Sequence, residues 1–307
     1  MSTEPPVPAA TDRAYRGRIA PTPTGYLHLG HGRTFLAAYW RAQAAAGSVV
    51  LRIEDLDTGR CKPGFVQAII QDLDWLGIHA NAPAIHQRDR RDRYLEAWRR
   101  LRDRDAIYPC NRSRRDVRTA TQAPHADDDA EPIFPTSWRP APGAAASHEQ
   151  PAGVNWRFRV PDGACIQFHD AVHGLVSFTA GVDFGDFVVW RRDDVPAYEL
   201  SVVVDDAAQR ISEVVRGDDL LLSTARQALL YQALHLPMPG MCHLPLVLDE
   251  KGKRLAKRHA PLAMRELRQR GLTPEQALAQ IPAVPQKALA APPIPARPSI
   301  LPAVEAH

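Results

Sequence analysis

Between residue 18 and about residue 271, the apolar positions alternate between short aliphatic runs and helical spacings. Residues 18–20 and 49–53 are aliphatic and β-branched runs that predict strands. Residues 34–46 have helical composition, and 65–76 repeat an amphipathic helical spacing. Pro21 to Gly30 is turn-rich, so strand, loop and helix follow one another twice. Strands alternating with helices predict an α/β fold on a parallel sheet. Residues 88–105 read as a strongly charged helix whose Tyr94, Leu95, Trp98 and Leu101 fall on one face, a stripe that belongs to a core.

The pattern breaks at 118–153, where Ala, Pro, Asp and His dominate and Asp127 to Asp129 form a charged run, as in a loop or flexible insertion. Strand patterning returns at 154–160 and 174–179, and its alternation suggests a small antiparallel patch within an insertion spanning 108–186. Residues 187–190 and 213–215 predict strands and 223–235 an apolar helix, so a second α/β half follows over 187–236. Residues 16–107 form the first half. Residues 1–15 read as a flexible leader, and the Pro- and Ala-rich stretch 273–307 has a composition that disfavours a packed domain.

Length and composition narrow the function without deciding it. A chain of 307 residues can hold one large domain and a smaller one, or one domain carrying an insertion. Hydrophobic content of 45% and charged content of 24% suit a soluble globular protein, and no apolar run approaches the roughly 20 residues of a membrane span. The start lacks the apolar segment of a secretory signal, so a cytoplasmic location and no membrane partner are expected. The net charge of +3 hides a skew of five Lys against 33 Arg. Arg forks suit phosphate and carboxylate partners, although genomic base bias gives the same composition. Cys61, Cys110, Cys165 and Cys242 stand far apart, which indicates neither a zinc cage nor a redox pair.

Two segments carry chemistry. In R-I-A-P-T-P-T-G-Y-L-H-L-G-H, His28 and His31 flank Gly30 where a loop gives way to a helix, and helix N-termini attract phosphate. In L-D-E-K-G-K-R-L-A-K-R, the residues Lys251, Lys253, Arg254, Lys257 and Arg258 crowd into a Gly-containing loop, as a cationic clamp for a pyrophosphate leaving group would. Either segment alone also fits a solvated loop.

Together, in this order, the two segments resemble the HIGH and KMSKS signatures of class I aminoacyl-tRNA synthetases. L-R-I-E-D-L-D, Y-E-L-S-V-V-V-D-D and E-V-V-R-G-D-D-L are similar to the glutamate branch of that class. The resemblance runs from about residue 18 to 271 and implies a Rossmann-like parallel-sheet catalytic domain split by an α+β insertion, followed by a KMSKS-like loop and stem-contact region over 237–272. With no anticodon-binding domain expected, the chain resembles the short glutamyl-Q tRNA(Asp) synthetases. These activate L-glutamate with ATP and Mg²⁺, without needing tRNA, and pass it to the queuosine base at the wobble position of tRNA(Asp). A monomer is expected.

The resemblance implies that Arg18, Ala20, Thr22, Glu54, Tyr198 and Arg216 bind glutamate, with Glu54 on its α-ammonium. It implies that His28, Gly30, His31, Arg254 and Lys257 bind ATP, with His28, His31 and Lys257 catalytic. The charges agree: a dicarboxylate with one ammonium needs cationic forks and an anion, and Arg18, Arg216 and Glu54 supply them. Arg254 stands at the first lysine of KMSKS and Ala256 at its serine.

One departure concerns zinc. Many members of the family bind it in the insertion through a C-x-C pair, a tyrosine and a further cysteine. Here only Cys110 remains, with Arg112 at the second cysteine position and Trp138 where the last would stand. A lone thiol cannot hold structural zinc, so no metal is expected and packing by Phe134 and Trp138 must replace it. Three other readings stay open: a HIGH-type nucleotidyltransferase of a small metabolite, a synthetase-derived binding protein, and a truncated glutamyl-tRNA synthetase charging the tRNA 3′ end.

Overall fold

The structure is a computed structural model that describes residues 14–121, 132–247, 263–290 and 299–301. Its first part runs β1 (Arg16–Ile19), α1 (Leu29–Ala44), β2 (Ser48–Ile53), α2 (Pro63–Trp75), β3 (Ile85–His86) and α3 (Arg91–Asp103). Then come β4 (Ile107–Cys110), α4 (Arg114–Thr121), β5 (Asn155–Phe158), β6 (Cys165–Asp170), β7 (Gly174–Thr179) and β8 (Val188–Trp190). The remainder is α5 (Tyr198–Ala208), β9 (Glu213–Gly217), α6 (Leu221–Leu234), β10 (Gly240–Leu244), α7 (Met264–Gln269), α8 (Pro274–Leu278), α9 (Gln286–Leu289) and β11 (Ser299–Leu301).

The expected parallel sheet is present. β1, β2 and β3 pair in parallel, with Arg18 opposite Val50 and Arg52 opposite Ile85. β9, β10 and β6 form a second parallel set. The two sets meet where the Ser212 N–H donates to the Arg16 carbonyl at 2.9 Å and the Arg16 N–H donates to the Ser212 hydroxyl at 2.8 Å. Parallel neighbours need crossover connections, and α1 supplies the first, lying on β1 and β9. Its buried Ala37, Ala38 and Ala42 let the helix approach closely. The turn that follows is tight: a Cβ on Gly47 would sit 2.4 Å from the Tyr15 carbonyl oxygen, so only glycine fits.

Apolar burial divides into two large bodies. Trp98, Trp156 and Trp190 anchor one between α3, α5, α6 and the β4–β5–β8 sheet. Ile19, Leu36, Val49, Leu73 and Met264 belong to the other, which joins α1 and α2 to α7. Among the described residues, no helix is long and apolar enough to cross a membrane.

Three sequence expectations change. Residues 154–160 and 174–179 do not share a patch: β5 pairs antiparallel with β4 and β8, whereas β7 forms a hairpin with β6, which joins β10 in the catalytic sheet. Strand 188–190 thus pairs in the β4–β5–β8 sheet, and 165–179 joins the sheet of β9 and β10. Period-two alternation identifies a half-buried strand but not its neighbour. The third change is in the Pro- and Ala-rich stretch, which packs over 273–290. Ala277 and Ala288 are fully buried, and Arg41 donates to the Ala288 and Ala290 carbonyls at 2.7 Å each. The ends of the chain, at 1–13 and 302–307, lie outside the described residues.

Candidate active site

The expected glutamate-pocket residues converge at the C-terminal ends of β1, β2 and β9 and the start of α5. Glu54 follows β2, is 9% exposed and accepts from the Thr22 hydroxyl at 3.4 Å. Arg52 donates to Glu54 at 3.5 Å and to Asp206 at 2.6 Å. Burial pushes the Glu54 carboxyl up, against the pull of Arg52 and Arg18. Arg18 donates to the Val215 carbonyl at 2.9 Å and lies 3.8 Å from Asp206. Burial lowers its pKa, with Asp206 acting in the opposite sense. Ala20 lies half-buried just beyond β1.

Arg216 is 5% exposed and differs from its neighbours in its company. Its Nε donates to His243 Nε2 at 3.0 Å, and its Nη2 donates to the Thr224 hydroxyl at 2.6 Å and Gln227 Oε1 at 2.9 Å. Its Nη1 points to the Tyr198 hydroxyl at 3.4 Å. Every one of these acceptors is neutral. By contrast, Arg52 meets Asp206 and Arg41 meets Glu213 through two bonds of 2.7 Å. Tyr198 is 37% exposed to the cleft, but its hydroxyl end lies inward, and burial raises its pKa to about 12 against the pull of Arg216. Thr22, Glu54 and Tyr198 line an open cleft of about 1540 Å³ that also reaches Glu199 and Arg226.

The H-L-G-H segment lies at the N-terminus of α1. His28 is the N-cap, and its N–H donates to His31 Nδ1 at 3.3 Å. The two rings lie 3.7 Å apart at 31°. Gly30 packs closely beneath them, since a Cβ there would meet the His28 ring at 3.0 Å and the ring would have to shift. Both ends of the basic loop adjoin this segment. Val247 would lie 3.8 Å from a Cβ on Gly30, Ala263 bridges His28, and the Met264 N–H donates to the Leu27 carbonyl at 2.9 Å. Arg254 and Lys257 themselves lie outside the described residues.

This arrangement has known relatives. A family model described as tRNA synthetases class I (E and Q), catalytic domain, matches residues 14–283. The chain belongs to that family. It is 42% identical over 273 residues to the glutamyl-Q tRNA(Asp) synthetase of Rhodopirellula baltica, covering 84% of this chain and 81% of the relative. It is 37% identical over 268 residues to the glutamate–tRNA ligase of Burkholderia mallei, covering 87% of this chain and 56% of the ligase. The solved glutamate tRNA ligase of Elizabethkingia meningosepticum, in complex with its amino acid, matches with a TM-score of 0.67 at 29% identity. That match covers 80% of this chain and 52% of the ligase, so the chain spans about half the length of the solved ligase. The protein is therefore an enzyme, a class I synthetase of the ligase type.

In this synthetase, the insertion positions expected from the sequence to stand in for zinc cysteines lie in a packed cluster. Cys110 is buried with Tyr108, Val117 and Phe134. Trp138 meets Phe134 edge-on at 5.6 Å, and the Arg112 guanidinium lies over the Trp138 ring at 4.6 Å. Arg112 and Trp138, read from the sequence as standing at two cysteine positions, are thus partners in a cation–π contact. Among the described residues, no group of three His, Cys, Asp or Glu converges to hold a metal ion.

Sequence reasoning missed the buried frame behind the pocket. Arg52 is fully buried. Asp205 accepts from Gln87, Arg90 and Tyr94 at 2.8, 2.6 and 2.8 Å. Glu199, pushed up by burial, accepts from Ser223 and Gln227 at 2.9 Å each. The only signal for this frame was the Asp205–Asp206 pair ending an apolar stretch, since paired carboxylates there need buried cations.

Proposed function

We propose that this synthetase activates L-glutamate with ATP and transfers the glutamyl group to the queuosine base at the wobble position of tRNA(Asp). The observation that carries the first half is Arg216, a buried guanidinium held by neutral acceptors and directed at Tyr198, which lines the same cleft as the buried carboxylate Glu54. Such a cation keeps its charge for an incoming anion, and a carboxylate is the anion a planar fork suits best. In this reading Arg216 and Arg18 receive the side-chain carboxylate of glutamate and Glu54 receives its ammonium, with Ala20, Thr22 and Tyr198 shaping the same pocket. Glutamine, which lacks the second negative charge, is disfavoured.

The α-carboxylate then attacks the α-phosphorus of ATP. A new C–O–P linkage forms, the bond to the β-phosphate oxygen breaks, and pyrophosphate leaves with the electron pair. His28 and His31 at the start of α1, with Gly30 keeping the backbone open between them, hold the triphosphate against the helix terminus. Arg254 and Lys257 meet the charge that moves onto pyrophosphate. Mg²⁺ bound with the nucleotide would supply charge neutralisation to its phosphates. An RNA hydroxyl next attacks the mixed anhydride and AMP departs, a step in which positioning outweighs base strength. In this reading the enzyme acts as a monomer in the cytoplasm, where ATP and tRNA are at hand.

The acceptor is proposed from the relatives named glutamyl-Q tRNA(Asp) synthetase, which match this chain at 39–42% identity. The test is transfer of labelled glutamate to tRNA(Asp) with and without queuosine, alongside tRNA(Glu). Label confined to queuosine-containing tRNA(Asp) is the expected result. Label on tRNA(Glu) would make the protein a charging enzyme, and no label on any RNA would overturn the transfer step.

A further inference from the structure

Behind Arg216 lies a second pair of groups that no reading of the pocket has used. His243 in β10 and Asp170 at the end of β6 are both fully buried, with His243 Nδ1 2.7 Å from Asp170 Oδ2. The carboxylate is fixed by three further bonds. Its Oδ2 accepts from the His243 backbone N–H at 3.0 Å, and its Oδ1 accepts from the N–H groups of Val172 and His173 at 2.9 and 3.0 Å. These bonds and the imidazole hold Asp170 below the usual carboxylate range, against its burial. An ionised carboxylate only accepts, so Nδ1 of His243 carries the proton. Nε2 is then left with its lone pair, and a guanidinium, which only donates, requires a lone pair at that place.

We infer that Asp170 and His243 are positioning residues that fix the rotation of the Arg216 guanidinium and thereby the edge it presents to substrate. His243 takes Nε, while Thr224 and Gln227 take Nη2. What remains is Nη1, directed at Tyr198 on the cleft side. Gln227 is oriented in the same way, since its Nε2 donates to Glu199 at 2.9 Å and its Oε1 is turned to Arg216. With the opposite tautomer, or with a protonated ring, an N–H would face the Nε–H of Arg216 and the fork would rotate away. The inference rests on the proposal that Arg216 receives the substrate's carboxylate.

The experiment compares His243→Ala and His243→Gln with the parent enzyme in glutamate-dependent pyrophosphate exchange, with thermal unfolding in parallel. His243→Ala raises the KM for glutamate on the order of tenfold or more, the scale of a lost hydrogen bond to a charged group, and leaves the KM for ATP nearly unchanged. His243→Gln returns an acceptor oxygen to Nε and recovers part of that loss. Equal changes in both KM values, or lowered stability with an unchanged glutamate KM, would reduce the pair to a staple between β6 and β10 and overturn the inference. A parent enzyme with no glutamate-dependent exchange would overturn the functional proposal instead. If His243→Ala does not fold, ¹⁵N-histidine NMR of the parent protein decides: an Nδ1-protonated His243 is expected, and an Nε2-protonated ring refutes the relay.

Discussion

Replacing Arg216 with Lys keeps the charge and removes the fork, so it separates a general need for a cation from the geometry of this one. The guanidinium reaches His243, Thr224, Gln227 and Tyr198 from three nitrogens, whereas an ammonium offers donors from a single nitrogen. Lys therefore cannot satisfy the buried acceptors and still present a donor edge to the cleft. A charge-assisted hydrogen bond contributes about 1.5–3 kcal/mol, and one decade corresponds to about 1.4 kcal/mol. Loss of the oriented contact thus predicts a rise of roughly 10- to 150-fold in the KM for glutamate. A second effect appears in stability. Each buried acceptor left without a donor costs about 1–3 kcal/mol, so Arg216→Lys also lowers the melting temperature. Pyrophosphate exchange with glutamate and ATP varied separately, together with calorimetry, reads the two effects apart. The variant should keep its KM for ATP within roughly twofold of the parent value. A glutamate KM that is also unchanged would show that the buried cation is not the carboxylate receptor.

Three further outcomes follow from the same geometry. Glu54→Gln removes the anion assigned to the substrate ammonium, so the parent enzyme's preference for glutamate, read as its KM in exchange, over the inhibitor glutarate, read as its inhibition constant, should collapse in the variant; an undiminished preference counts against the assignment. Trp138→Ala takes away the ring that covers Phe134 and carries Arg112, and Arg112→Ala removes a cation–π contact of about 0.5–1 kcal/mol. Hydrogen exchange at β4 and α4 should speed up in both, more in Trp138→Ala, and unchanged protection would mean that the cluster does not hold the insertion together. Asp72, fully buried between α2 and Arg268, is pushed up to about 6 by burial. A raised carboxyl binds more protons folded than unfolded between its two pKa values, so it lowers stability as pH rises from about 4 to 6, by about 3 kcal/mol in all. Asp72→Asn should remove that contribution, making unfolding free energy climb more steeply with pH across this window than in the parent, and parallel profiles would refute the shift.

Local features of this protein were legible because local physics sets them. The placement of His28, Gly30 and His31 where a turn-rich stretch gives way to a helix is legible, although α1 begins at Leu29, five residues before the helical composition does. β1, β2, α2, α3, β9 and α6 also lie where apolar spacing puts them, within a few residues. α5 was not assigned, and its sequence explains why. Val202, Val203 and Val204 are β-branched and favour strands by propensity, yet they form a helix buried from Glu199 to Asp206. A helix covered on all sides shows no amphipathic period for a sequence reading to find. The tail was misread for a related reason: its anchors are the carbonyls of Ala288 and Ala290, and main-chain acceptors leave no mark in composition.

Pairing across long separations was equally hidden. Asp170 and His243 are 73 residues apart, and Arg52 and Asp206 are 154 apart, so nothing near either partner announces the other. The sequence could therefore name the arginines and carboxylates of the pocket but could not sort them. Arg18, Arg52 and Arg216 are all buried and stand within one electrostatic neighbourhood. What separates them is the charge of the groups they touch. Arg52 is bonded to carboxylates and is neutralised as part of the frame, and Arg18 has Asp206 nearby. Arg216 is bonded to an imidazole, a hydroxyl and an amide, which satisfy its hydrogens and leave its charge. Burying a cation with no carboxylate bonded to it costs free energy, a cost that a fold bears at a place where an anion will bind. On that argument the role of an arginine in this site is set less by its own position than by whether its acceptors are charged, and the variants at Arg216 and His243 test it from both ends of the same bond.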